Sequence, residues 1–205
     1  MTVSTDMDSL LQTRLNPEAF KIINSWIQQF EVEVICSKPR ASKLGDYRSP
    51  TKSHGHRITI NNNLNPYAFI ITLVHEMAHL KTWIKFKRLA KPHGPEWKNE
   101  FQNLMREFAP LNLFPADVES ALAKYLANPK ASSCSDYHLS KTLMLFDVVD
   151  SALCTVEAIP EKTLFKTSSG RVFRKEVKLR KRYKCLDINT NKRYLFNPLA
   201  LVSRI

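Results

Sequence analysis

The sequence predicts an α+β protein: helices with a small sheet, followed by a small basic module of β-hairpins or a small barrel. Two observations predict this class. Apolar residues recur at helical spacing through most of the first 127 residues, and two short β-branched segments lie between the helices. Beyond about residue 150, apolar residues lie instead in short segments separated by turn residues. With 205 residues, 43% of them hydrophobic, the chain can bury a core without disulfides.

Four helices are predicted from capping residues and apolar spacing. Asn16 and Asn65 each precede a proline, and such pairs begin helices because Asn caps free N–H groups and proline fits the first helical position. The apolar residues that follow recur three and four residues apart, as on a helix with one buried face. The predicted helices span residues 16–30, Asn65-Pro66 to Ile84, the break at 91–95 to Phe108, and residues 115–127.

Short segments rich in β-branched and aromatic residues predict the strands. In the first part these are VEVIC (32–36) and HRITI (56–60), and the polar segment between them is predicted to be a loop or a meandering strand. In the last part, LCTVEAIP, TLFKTSSGRVFRK and KRYKCLDINTNKRYLF are predicted strands, with hairpin turns at Ser-Ser-Gly and Asn-Thr-Asn. The segment 139–150 fits a helix or a strand. Residues 128–138 have linker composition, so we predict domains at 1–129 and 130–205.

The chain lacks the features of an exported or membrane protein. Its N-terminus has acidic residues and no apolar run of signal-peptide length, and no segment approaches the roughly 18 apolar residues of a membrane span. The four cysteines are scattered without a C-x-x-C pair, which favours reduced thiols. We expect a soluble cytoplasmic protein without a membrane partner, with association to the nucleoid as an extension. The oligomeric state is left open.

The segment VHEMAH (74–79) is a candidate metal site on the second predicted helix. His75 and His79 are four residues apart, so both imidazoles lie on one helix face and can reach one ion. Glu76 can reach a water on that ion. This is the H-E-x-x-H arrangement of zinc metalloproteases, in which the glutamate is the general base. A random match is expected roughly 0.01 times in a chain of this composition, so the surrounding residues must decide.

Such a site needs a third protein ligand, and three residues are candidates. In one large class of these enzymes the ligand is a histidine six residues after the second, but that position is Lys85, and the glycine three residues after the second is replaced by Thr82. A glutamate on the following helix is an alternative, for which Glu96 and Glu100 are candidates. His93, in KPHGPEW, is the other.

VHEMAHLKTWIKF and HGPEWKNEFQNLM together resemble the SprT-like (Spartan-related) zinc metalloprotease family, and KLGDYR and RITINNNL resemble its strands. The resemblance covers about residues 15–125. It implies a minimal zincin-like core, one Zn²⁺ per chain held by His75, His79 and His93, and Glu76 as the general base. It also implies protein or peptide substrates, including proteins associated with DNA or crosslinked to it.

Residues around the motif have further predicted roles. Trp97 is predicted to anchor the third helix in the core. Residues 56–61 are predicted to bind an extended peptide by main-chain pairing. Tyr47 and Tyr67 are considered as oxyanion donors on their phenol chemistry alone, and both stay outside the predicted site.

The last part of the chain is strongly basic. Of the formal charge of +12, residues 1–129 contribute +4 and residues 130–205 contribute +8, and the stretch from Lys166 to Arg193 alone carries +9. A basic surface interleaved with aromatic rings attracts phosphate and stacks on unpaired bases, so this part is a candidate DNA-binding module. The alternative is an ordinary solvated sheet face. The candidate nucleic-acid-binding residues are Arg171, Arg174, Lys175, Lys178, Arg180, Lys181, Arg182 and Lys184.

This part departs from the many SprT-like proteins that end in a four-cysteine zinc ribbon. Cys134 and His138 form a C-x₃-H pair that could hold a second zinc together with Cys154 and Cys185, but the scattered cysteines favour reduced thiols over this alternative.

The residues together predict a zinc-dependent endopeptidase. The alternative is a non-catalytic nucleic-acid-binding protein whose histidine site is structural or empty. Glu76 favours the enzyme, because a structural zinc site is closed by a fourth protein ligand and has no use for a base.

Overall fold

Two helices begin at the asparagines that the sequence predicts as caps. Asn16 Oδ1 accepts a hydrogen bond from the N–H of Ala19 at 2.7 Å, and Asn65 Oδ1 accepts one from Ala68 at 2.9 Å. The helices are α1 (Pro17–Phe30), α2 (Pro66–Phe86), α3 (Pro95–Arg106), α4 (Ala116–Ala127) and α5 (Tyr137–Met144), and residues 11–14 are also helical. The computed structural model describes residues 11–40, 43–130, 136–148 and 150–205.

A small mixed sheet lies beside α2. Among the described residues its strands are β1 (Glu33–Ser37), β2 (Gly45–Arg48) and β3 (Arg57–Asn61). β3 pairs in parallel with β1 and antiparallel with β2, so it is the central strand. Ile58 and Ile60 on β3 are fully buried, as alternate residues on one face of a strand should be. β2 lies in the segment for which the sequence predicts a loop or a meandering strand.

The chain divides into two compact units between Asp147 and Val148, whereas linker composition predicts a boundary at residue 129/130. The difference arises because α5 belongs to the first unit. Its Leu139 and Leu143 join the core of that unit, and the Asn65 amide donates a hydrogen bond to the main-chain oxygen of Leu143 at 2.9 Å. The sequence left this segment open between helix and strand. Part of the predicted linker, residues 131–135, lies outside the described residues.

The second unit is an antiparallel sheet. Within residues 150–205, six strands are ordered β4-β9-β5-β6-β7-β8. They are β4 (Leu153–Thr155), β5 (Leu164–Lys166), β6 (Val172–Lys178), β7 (Tyr183–Asp187), β8 (Arg193–Phe196) and β9 (Leu201–Arg204). Ser-Ser-Gly connects β5 to β6 and Asn-Thr-Asn connects β7 to β8, as predicted. A 3₁₀ turn at Val156–Ala158 and the strand β9 are not predicted by the sequence.

Each unit has its own hydrophobic core. In the first, residues of α1, α2, α3 and β3 pack around the fully buried Phe69, Trp97 and Phe101. In the second, Phe165 and Phe173 stack with their ring centroids 5.7 Å apart. These features confirm the predicted α+β class. No helix in the described part of the chain has the length and apolar composition needed to cross a membrane.

Candidate metal centre

The candidate site forms where α2 meets the residue before α3. His75 and His79 lie one turn apart on α2, on the side that faces α3. His93 precedes the N-cap Gly94 of α3 and has a left-handed backbone, with φ of 58°. Few non-glycine residues adopt this conformation, and such residues are often found at functional sites. The bend directs the His93 imidazole toward the two histidines of α2.

The three imidazoles converge through their Nε2 atoms. The Nε2 of His93 lies 2.9 Å from that of His79 and 3.3 Å from that of His75, and all three residues offer donor atoms within 4.8 Å of one another. In tetrahedral zinc sites with Zn–N bonds of 2.0–2.1 Å, two bound nitrogens lie about 3.3 Å apart. The set therefore fits one ion, and three donors leave a position for water or substrate.

Burial keeps these imidazoles neutral, as metal ligands must be. Burial, followed by the charges of the neighbouring histidines, lowers the pKa of His75 to about 2. The same causes lower the pKa of His79 to about 3, and burial lowers the pKa of His93. If protonated, three imidazoles with facing nitrogens would repel one another. In the neutral state, their lone pairs can share one cation. The donor chemistry thus fits a borderline-soft divalent metal such as zinc.

Trp97 supports the three histidines, and its predicted role as a core anchor is confirmed. The side chain is fully buried and stacks on Phe101 with ring centroids 5.2 Å apart. Its indole N–H donates to the main-chain oxygen of His75 at 3.4 Å. Its ring centroid lies between 4.5 and 5.2 Å from those of the three imidazoles. Trp97 therefore fixes α3 against α2 and limits the rotation of the imidazoles.

Glu76 is buried against the edge strand β2. The main-chain N–H of Tyr47 donates a hydrogen bond to its carboxylate. Burial, and then the nearby Asp46 carboxylate, raises the pKa of Glu76 to about 8, and the hydrogen bond from Tyr47 opposes this rise. Gly45 makes the close approach possible, because a Cβ at this position would lie 2.9 Å from Oε1 of Glu76. Glu76 is thus a buried carboxyl group held in a defined position.

The other two candidate ligands lie elsewhere. Glu100 is buried and pairs with Lys85 at 2.6 Å and Lys81 at 3.7 Å. Glu96 lies in the first turn of α3. Neither belongs to the metal-capable group that the described residues form, whereas His93 does. The structure therefore favours His93 as the third donor.

One expectation about the substrate is wrong. The sequence suggests that residues 56–61 pair with an extended peptide, but these residues include β3, whose two edges are already occupied by β1 and β2. A central strand has no free main-chain groups for a further strand. β2 is an edge strand and contacts α2 near Glu76.

Tyr47 and Trp83 belong to the surroundings of the site. Tyr47 is the residue considered from the sequence as an oxyanion donor and left outside the predicted site, and Trp83 is not predicted from the sequence at all. The Tyr47 hydroxyl lies 2.8 Å from Nδ1 of His56, whose ring contacts Trp83 edge-on at 5.0 Å. Tyr47 and Trp83 line a cavity together with His79. The sequence signal for this arrangement is Gly45, two residues before Tyr47. A glycine within a segment that resembles a strand often marks a close approach of the backbone to a neighbouring element. Tyr67 instead packs against Phe146 with ring centroids 4.9 Å apart.

The eight basic candidates of the second unit separate into three groups. Arg171 and Lys175 have partners within the second unit: the exposed Arg171 pairs with Asp187, and the buried Lys175 donates through its ammonium to the main-chain oxygens of Glu157 and Ile159. Arg174 and Lys184 line a cavity of about 580 Å³. The others lie at or beside the β6–β7 hairpin and are exposed: Lys178, Arg180, Lys181 and Arg182.

The structure offers no support for a second zinc site in the described residues. Cys154 and Cys185 are free thiols that pack in the core of the second unit. Cys134 lies outside the residues that the structure describes. In the ranges that are described, the metal-capable group is the one formed by His75, His79 and His93.

Three converging imidazoles and a buried glutamate on a helix, beside a small sheet, form a metal-capable group with the H-E-x-x-H arrangement. The model of the SprT-like family matches residues 11–119, which include all four residues. The chain belongs to the SprT-like family. No curated protein and no solved structure matches the chain significantly.

Proposed function

We propose that this protein is a zinc-dependent endopeptidase. The observation that carries the proposal is the convergence of the Nε2 atoms of His75, His79 and His93 beside the buried carboxyl group of Glu76. Structural zinc sites are normally closed by a fourth protein ligand, whereas catalytic sites keep one position open. A three-histidine set with an adjacent acid is the catalytic type.

The residues of the chain have distinct roles in this reaction. Zinc, when bound, supplies Lewis acidity that acidifies a water molecule and polarises a peptide carbonyl. In its ionised form, which the positive charge of a bound metal would favour, the Glu76 carboxylate takes a proton from the attacking water and gives it to the leaving amine. The main-chain N–H of Tyr47 holds that carboxylate in place. The three histidines stay neutral and keep their Nε2 lone pairs directed at the shared position.

The proposed substrates are proteins on DNA or crosslinked to it. Two features of the chain support this. β2 is an edge strand next to Glu76, and pairing with such an edge binds a peptide through its main chain with little sequence preference. The exposed hairpin with Arg180, Lys181 and Arg182 concentrates positive charge that attracts phosphate.

Cleavage of an unstructured protein by zinc-loaded enzyme tests the catalytic part, with and without single- and double-stranded DNA. We expect Glu76→Gln to retain zinc and to lose activity by about 10²- to 10⁴-fold, the usual contribution of a general base. Glu96→Gln is the matched control, since it makes the same change outside the metal-capable group, and its activity should stay within about twofold of wild type. Full activity in Glu76→Gln would exclude the proposed mechanism.

A salt titration tests the DNA part. The triple variant Arg180→Ala, Lys181→Ala, Arg182→Ala should weaken DNA binding and reduce the slope of log K against log salt by about 2 to 3. Lys124→Ala, on α4 of the first unit, removes one positive charge outside the hairpin. It is therefore the control for each single charge removed in the triple variant. Binding that is absent at low salt, or that does not depend on salt, would leave the hairpin without this role.

A further inference from the structure

A small cavity lies directly beside the metal ligand His79. It has a volume of about 130 Å³, and its walls include the aromatic rings of Tyr47, Trp83 and Trp97. Cavities that hold drug-sized ligands are about 300 to 1,000 Å³. This one has room for a single amino-acid side chain. Because His79 forms part of its wall, an occupant would lie next to the bond that the enzyme cleaves.

The charged residues that line the cavity have one sign. Lys87 and Lys91 belong to its lining, and no described lining residue is an aspartate or glutamate. The Lys87 ammonium lies 3.8 Å from the centroid of the Trp83 ring, which holds it over the aromatic wall. Its charge also contributes, after burial, to the lowered pKa of His56. The described lining of the cavity is therefore positively charged.

The backbone places Lys87 in this position. Lys87 ends α2 with φ of 54° and ψ of −125°, and its N–H donates to the main-chain oxygen of Trp83 at 2.7 Å. This conformation is costly for a residue with a side chain. Together with the left-handed His93, it turns the segment 87–93 around the cavity. Two uncommon backbone conformations thus frame a pocket that ends at a metal ligand.

We propose that this cavity is a specificity subsite for an acidic side chain, aspartate or glutamate, beside the scissile bond. The inference rests on the proposed peptidase function. The carboxylate pairs with Lys87 and Lys91, and the methylene groups of the side chain pack on Trp83 and Trp97. A nucleic acid phosphate is the competing anion. The size of the cavity and its closeness to His79 favour a side chain, since a nucleotide needs more room.

Cleavage-site mapping of a denatured peptide library by mass spectrometry tests the subsite. Wild type should show Asp and Glu enriched at one fixed position beside the cleaved bonds. Partly exposed ion pairs contribute little, so Lys87→Gln and Lys91→Gln should each reduce that enrichment by about two- to fivefold. Lys124→Gln is the matched control, because it removes the same charge outside the cavity lining, and it should leave the enrichment unchanged.

A binding measurement separates this inference from the function on which it rests. Two capped pentapeptides that differ only by Glu or Gln at the centre are titrated into Glu76→Gln protein, with tryptophan fluorescence as the readout. The Glu peptide should bind more tightly, and the added Lys87→Gln change should remove the difference. If zinc-loaded wild type cleaves nothing, the proposed function fails, while a preference for the Glu peptide still supports the subsite.

Two results would overturn the subsite. One is cleavage without acidic enrichment, or with enrichment that both lysine variants retain. The other is a loss of DNA affinity in Lys87→Gln and Lys91→Gln while the peptide preference is unchanged, which would assign the lysines to phosphate.

Discussion

Replacement of Gly45 by alanine should disturb both the stability of the first unit and the position of Glu76. An added Cβ would lie 2.8 Å from Cγ2 of Thr72 and 2.9 Å from Cγ and Oε1 of Glu76. Ordinary contacts begin near 3.4 Å, so β2 and α2 must separate locally by about 0.5 to 0.6 Å. Overpacking of this kind typically costs about 1 to 3 kcal/mol.

The two effects have separate readouts. For a chain of this length, about 2 kcal/mol lowers the midpoint of thermal unfolding by roughly 4 to 8 °C. Zinc content should remain near wild type, because the collision lies at Glu76 and Thr72 and not at the three histidines. Activity should fall by about tenfold, since a displacement of 1 Å can cost about 10²-fold. Circular dichroism, zinc analysis and the cleavage assay measure these three quantities.

Gly55→Ala is the matched control. Nothing lies within 4 Å of a Cβ at Gly55, so this variant makes the same chemical change without a collision. It should have wild-type activity and unchanged or slightly higher stability. If Gly45→Ala and Gly55→Ala behave alike, β2 does not constrain Glu76 and the reasoning is refuted.

Three further predictions concern stability. Glu31 ends α1 with a left-handed backbone, so Glu31→Gly should raise the free energy of unfolding by about 1 kcal/mol in denaturant titration; a decrease would contradict this. Asn65→Ala should lower the free energy of unfolding by about 2 to 4 kcal/mol, because it removes a helix cap and the hydrogen-bond donor to Leu143. A loss under about 1 kcal/mol would contradict this. The Arg171 hydrogen bond holds the pKa of Asp187 below its usual range, so its stabilisation is full above the unfolded pKa of about 3.9 and is lost as pH falls below that value. Asp187→Asn should therefore weaken the loss of stability as pH falls below about 4, and an unchanged dependence in this range would assign it to other carboxyl groups.

Local signals explain why the helices could be predicted. Asn16 and Asn65 cap through their own side chains, and the first hydrogen bonds involve residues three positions away. The apolar faces then follow from spacing alone. The two α2 histidines and Glu76 were predictable for the same reason, because a helix fixes which side chains share a face.

Strand order could not be predicted from local signals. The short, polar β2 carries no clear alternation, and its pairing with β3 depends on contacts that are distant in sequence. The sequence therefore does not reveal that β3 is central. The cavity could not be predicted for the same reason: Trp83 and Lys87 contact each other at the end of α2, but Tyr47 joins them only when β2 packs on α2.

The position of Lys175 in the sequence already indicates that its side chain points into the core. It lies two residues after the core residue Phe173 on β6, so strand alternation places it on the core face. Its charge, taken alone, places it among the exposed basic residues. Its ammonium is instead held by main-chain oxygens and lies 4.0 Å from the centroid of Tyr183.

The most direct test of the central claim is the zinc content of purified protein. Wild type and His138→Ala, which removes an exposed histidine outside the site, should each contain about one zinc per chain after reconstitution. His93→Ala should lose most of it, because two imidazoles hold the ion far more weakly than three. Full zinc retention in His93→Ala would move the third ligand to another residue. No zinc in wild type would contradict the metal site altogether.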